Sequence, residues 1–169
     1  MLSLFRRDPE QGWLYREAWY DGAAREFVVH HGKVGTNGKL TAEQATEDAA
    51  ETLLEGFAAQ CAEDGYAEPT AEELTELKVV YPLKSAEPSA AERRNVNTVH
   101  EAVLVALAWR GLGALTDPVQ EKDDDGGQAL VMRVPTLHRR KAEDAVRASV
   151  RSTDVPPSKV KISIQSGRL

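Results

Sequence analysis

At 169 residues, 41 % hydrophobic and 28 % charged, the chain has the composition of an ordinary globular protein. No apolar run approaches the ~20 residues of a membrane-spanning helix, and the single cysteine excludes an internal disulfide framework and any Cys-x-x-Cys metal or redox motif. The net charge of −6 is uneven: residues 1–75 hold 6 Lys+Arg against 15 Asp+Glu, or −9, while residues 76–169 hold 15 against 12, or +3.

That charge step, together with a change in composition, places a boundary between residues 70 and 76 and divides the chain into domains 1–70 and 71–169. The opening MLSLFRRDPE has too short an apolar stretch for a secretory leader, and its charge follows rather than precedes it. The expected location is the cytoplasm. Trp13 to Tyr20 and Glu26 to His31 then read as two strands joined across an Asp21-Gly22 turn. Thr36-Asn37-Gly38 supplies a second turn. Thr41-Ala42-Glu43-Gln44 has the form of a capping box, so a helix is expected from about Ala42. Ala45, Ala49, Leu53, Phe57 and Cys61 would form its buried stripe, widened by Ala50, Leu54 and Ala58. Asp64-Gly65 closes it.

The turn His31-Gly32-Lys33-Val34-Gly35-Thr36-Asn37-Gly38, the Gly65-Tyr66 helix ending and the Tyr15-Arg16 pair together resemble the core of a WGR domain over residues 11–68. That family is named for a Trp-Gly-Arg tripeptide. In poly-ADP-ribose polymerases that carry the module, the Trp packs against sugar at a DNA end and the Arg helps hold phosphate. The resemblance implies a small antiparallel sheet with one long helix, and it projects those roles onto His31 and Lys33. Lys lacks the bidentate fork of Arg, and the −9 charge of this half opposes phosphate. The neighbouring His30 and His31 point to opposite faces of a strand, so they do not form a metal pair.

In the second half, Thr70-Ala71-Glu72-Glu73 reads as the start of a one- or two-turn linking helix. Leu77 to Leu83 reads as a strand that Pro82 ends or places at an edge. Residues 84–96 read as a Ser/Ala/Glu/Pro-rich loop with room for a helical turn after Ser89. A helix capped by Asn97 or Thr98 should run to Arg110, with Val99, Ala102, Val103, Ala106 and Leu107 inward. Two strands, Leu115 to Glu121 and Gln128 to Val134, flank the tip Lys122 to Gly127, whose Asp run lacks calcium-loop spacing. Thr136 should cap a helix to Ser152, and Lys159 to Ile164 alternates as a half-buried strand. The fold class is therefore α+β: a WGR-like antiparallel sheet plus long helix, followed by a ferredoxin-like βαββαβ domain.

Alternation places Leu130, Met132, Val134, Val160, Ile162 and Ile164 under the helices. Val131, Arg133, Lys159, Lys161 and Lys78 then fall on the opposite face. Arg140, Arg147 and Arg151 form a second basic strip on the last helix. His100-Glu101 and His138 are the remaining acid–base candidates, and no nucleophile or phosphate loop accompanies them. The expected function is a non-enzymatic binding module without a cofactor or metal. Its binding residues are His31, Lys33, Arg133, Lys159, Lys161, Arg140, Arg147 and Arg151, and its partner is DNA or RNA. The alternative is an acidic protein-interaction or immunity-type adaptor that binds no nucleic acid.

Overall fold

A computed structural model describes residues 1–165 as an α+β protein with two four-stranded antiparallel sheets and three helices. The chain divides into two compact units, Met1–Ala71 and Glu72–Leu169.

In the first unit, β1 (Leu2–Asp8), β2 (Gly12–Asp21), β3 (Glu26–Lys33) and β4 (Lys39–Gln44) form a meander in sequence order. Alternation along β2 splits its residues between two faces. Leu14, Arg16 and Ala18 lie beneath α1 (Glu47–Glu63), where Ala18, Phe27 and Ala50 form one buried cluster and Leu4, Cys61 and Tyr66 another. Gly65, at φ +78°, ends the helix in the left-handed conformation that glycine adopts without strain. The next residue, Tyr66, carries two guanidinium groups against its ring, Arg16 at 4.3 Å and Arg6 at 5.0 Å from the centroid. Arg6 Nη1 also donates to the Asp64 carbonyl at 3.0 Å, so the helix end is fastened to β1 and β2.

This unit differs from expectation in two places. The opening residues, given no element in sequence, form β1. Its outer edge is covered by a two-way backbone bridge between Phe5 and Ala67. Residues 39–44 are a strand, not the first turn of the helix, and all six are exposed. Thr41-x-x-Gln44 matches a capping box by residue type, but the free edge of β3 recruits the segment first. Thr46 is the actual cap, its hydroxyl accepting from Ala49 N at 3.2 Å. The buried stripe of α1 shifts accordingly, with Ala50 buried and Ala49 exposed.

The second unit runs β5 (Thr75–Pro82), α2 (Ala90–Ala108), β6 (Val119–Lys122), β7 (Gln128–Thr136), α3 (Arg139–Arg151) and β8 (Lys161–Gln165), with sheet order β6-β7-β5-β8. Leu77 and Val79 stand opposite Val134 and Met132 and are fully buried, as are Val99, Val103 and Leu107 of α2 and Ala142 and Val146 of α3. Pro82 ends β5 but does not make it an edge, since β5 pairs with both β7 and β8. Leu130, Met132 and Val134 of β7 and Ile162 and Ile164 of β8 share the helix side as read, but Val160 precedes β8, closing the 3-10 turn before it.

Residues 71–73 form a turn, not a linking helix. The cap of α2 lies eight to nine residues earlier than the Asn97 or Thr98 expected, because Ser89 and Glu92 make a reciprocal capping box. β6 is shorter than read. Thr136 does not cap α3; it ends β7 and is buried, and His138 occupies the cap position without a side-chain hydrogen bond. Lys159 is not on the last strand: it lies in a single 3-10 turn, Pro157–Lys159, which the proline pair initiates.

Candidate functional site

The turn after β3 is shaped by what lies beneath it. On the β2 face away from α1, Tyr15 stands opposite Gly32 and Glu17 opposite His30. Their side chains form a connected chain. Ser3 Oγ donates to Glu17 Oε1 at 3.2 Å, Glu17 Oε2 meets His30 Nδ1 at 3.1 Å, and His30 Nε2 meets the Tyr15 hydroxyl at 3.0 Å and the Asn37 carbonyl at 2.8 Å. A carbonyl can only accept, so Nε2 carries a hydrogen. The Tyr15 hydroxyl then donates onward to the Thr36 carbonyl at 3.3 Å. Tyr15 is fully buried and His30 is 2 % exposed. Burial, with the Glu17 carboxylate nearby, pushes the Tyr15 phenol up to about 12.

Two glycines make this packing feasible. A side chain at Gly32 would come within 2.7 Å of the Gly38 Cα, and one at Gly38, which has φ +64°, would collide with the Tyr15 hydroxyl. The turn is thus latched down onto His30 and Tyr15, while His31 and Lys33, read in sequence as turn residues, are the last residues of β3, opposite Arg16 and Leu14, and are exposed. His30, set aside in sequence as a poor metal ligand, is the centre of this chain. The signal for it was three polar residues, Tyr15, Glu17 and His30, at positions that share one inward strand face.

The second region is the sheet face of β5–β8 away from the helices. Arg133 and Lys161 both lie there as read, but neither is a free cation. Arg133 Nη2 holds Glu121 through both oxygens at 2.5 and 2.7 Å, and its Nε lies 3.4 Å from Glu76. Lys161 Nζ lies 2.7 Å from Asp125 and 3.6 Å from Asp123. The hydrogen bond to Glu121 raises the Arg133 pKa and lowers that of Glu121, and the Lys161–Asp125 pair shifts in the same complementary way. Asp123 also accepts from Gly127 N at 2.8 Å, which folds the β6–β7 tip. The tip reaches the edge strand β8 and encloses a hollow of about 170 Å³ floored by Val80 and Val131.

Lys78 stands opposite Arg133 and lines the same hollow as Lys161, whereas the basic residues of α3 and Lys159 are not gathered with these. Arg140, Arg147 and Arg151 are exposed on α3, and Arg147 pairs with Glu143 at 2.7 Å. Lys159 is exposed in its 3-10 turn. His100 Nε2 is buried without a hydrogen-bond partner among the described residues, 3.8 Å from the Asp117 carboxylate. Among the described residues no three His, Cys, Asp or Glu side chains are grouped to hold a metal, and no helix is long and apolar enough to cross a membrane.

No family model matches the chain, and neither a curated protein nor a solved structure matches it.

Proposed function

We propose that this chain is a non-catalytic interaction module whose partner is another protein and not a nucleic acid. Its first unit is WGR-like and its second is ferredoxin-like. The observation that carries this reading is that two of the cations read onto the basic sheet face, Arg133 and Lys161, are already paired with carboxylates. Arg133 is engaged by Glu121 and Glu76, and Lys161 by Asp125 and Asp123. A phosphate backbone would have to displace carboxylates already in place, and would approach a chain of net charge −6. The order β6-β7-β5-β8, with a helix before and after the β6–β7 hairpin, supports the ferredoxin-like reading. The glycine-dependent turn and the Gly65-Tyr66 helix end support the WGR-like one. The non-catalytic reading rests on His30, which is enclosed with both ring nitrogens already engaged.

A second reading, nucleic-acid contact beside the turn, is favoured by the exposure of His31 and Lys33 at the end of β3, next to a turn whose Asn37 carbonyl is bonded to His30. Gel-shift titration of the intact protein with short duplex DNA and single-stranded RNA at low salt separates the two. No shift is expected. A shift that fades as salt rises would overturn the protein-partner reading. Loss of that shift in Lys33→Glu would place the contact at the turn; loss in Lys159→Glu/Lys161→Glu would place it at the edge of the second sheet.

A further inference from the structure

The hollow on the open face of the second sheet contains groups that the fold itself does not use. Lys78 and Ser163 are direct partners across β5 and β8, so their side chains rise side by side from one face. The Ser163 hydroxyl is shielded from solvent and has no hydrogen-bond partner among the described residues. The half-buried Lys78 has no carboxylate within ion-pair distance among the described residues. Glu121, whose charge acts on it from further away, gives both oxygens to Arg133. An ammonium and a hydroxyl that the fold leaves unused, adjacent in a recess, form a place for a carboxylate.

The rest of the lining narrows the ligand. The floor is apolar, Val80 and Val131 being 5 % and 1 % exposed. The lining also includes the acidic tip Asp123–Asp125, in which Asp123 and Asp125 share Lys161 and the exposed Asp124 is engaged by no described side chain. A simple anion would meet that acidic tip unfavourably, and a simple cation would meet Lys78. A zwitterion suits both. The volume of about 170 Å³ fits a molecule slightly larger than benzene, for which a cavity of ~150 Å³ suffices.

We propose that this hollow binds a free α-amino acid with a small branched apolar side chain. The carboxylate sits on the Lys78 ammonium and Ser163 hydroxyl, the amino group faces the Asp123–Asp125 tip, and the side chain rests on Val80 and Val131. The site is independent of the partner reading above, since it needs neither the turn of the first unit nor a macromolecule.

The test is a titration of the intact, isotope-labelled protein with L-valine, followed by the amide resonances of Val80, Val131 and Ser163. Saturable shifts at those three positions are expected. Isovalerate, which is valine without its amino group, and isobutylamine, which is valine without its carboxylate, should each bind about tenfold more weakly or worse, the usual loss for a charge-assisted hydrogen bond. Lys78→Met should weaken valine binding by a similar factor. Ser163→Ala should weaken it less, with the spectrum otherwise unchanged. Absence of a saturable shift with valine would overturn the proposal. Isovalerate binding as tightly as valine would also overturn it, by showing a plain anion site, and so would wild-type affinity in both variants.

Discussion

At the scale of single residues, the protein's least ordinary feature is a phenol, an imidazole and a carboxylate enclosed together under a glycine-rich turn. Tyr15 is 0 % exposed and held at about 12 against an ordinary value of 10.0. The unfolded chain therefore loses the Tyr15 proton first as pH rises, so the native state binds more protons and stability falls with pH across this window. The contribution is fully present below pH 10 and is lost as pH climbs through about 12. It amounts to on the order of 2 kcal/mol. Urea unfolding of the intact protein at a series of alkaline pH values should show that fall, and Tyr15→Phe, which cannot ionise, should flatten it. An equally steep fall in Tyr15→Phe would assign the alkaline loss to other groups. The same enclosure explains why the turn keeps its glycines: Gly38 has both a positive φ and no room for a Cβ beneath the Tyr15 hydroxyl.

At the scale of elements, helix starts are decided by which side chain reaches an orphan backbone N–H, and not by residue type alone. Thr41-x-x-Gln44, Thr70-x-x-Glu73 and Ser89-x-x-Glu92 all have capping-box composition, and of these only Ser89-x-x-Glu92 forms one at the start of a helix. Glu92 Oε2 accepts from Ser89 N at 2.9 Å, and the Ser89 hydroxyl accepts from Glu92 N at 3.3 Å. Glu92 Oε1 also accepts from Lys84 N at 3.1 Å, tying the loop after β5 to the first turn of α2. These hydrogen bonds, led by that from the Ser89 hydroxyl, hold the Glu92 carboxyl below its ordinary value. Ser89→Ala should destabilise the intact chain by about 1 kcal/mol in denaturant unfolding, with helix content otherwise retained. An unchanged midpoint would mean that tertiary packing of Val96, Val99 and Val103 alone sets where α2 begins.

At the scale of the whole molecule, each unit completes its own sheet and its own buried core, with no strand shared among the described residues. The fragment 72–169 should therefore give a mixed α/β circular dichroism spectrum and unfold cooperatively on heating. A disordered spectrum would show that it depends on the first unit. Much of this organisation was legible beforehand. The β2–β3 hairpin, the Gly65 stop and the alternation of β7 and β8 follow from local chemistry and from a period of two, which any segment carries within itself. The rest depended on partners distant in sequence. Residues 2–8 and 39–44 became strands because β2 and β3 offered free edges; their own composition does not demand it. Arg133 and Lys161 looked like an open basic face because periodicity assigns a side chain to a face but says nothing of the carboxylates that tertiary structure brings to it. Glu121 and Asp125, 12 and 36 residues away along the chain, decided that question, because a salt bridge depends on distance in space and the linear pattern records only distance along the chain.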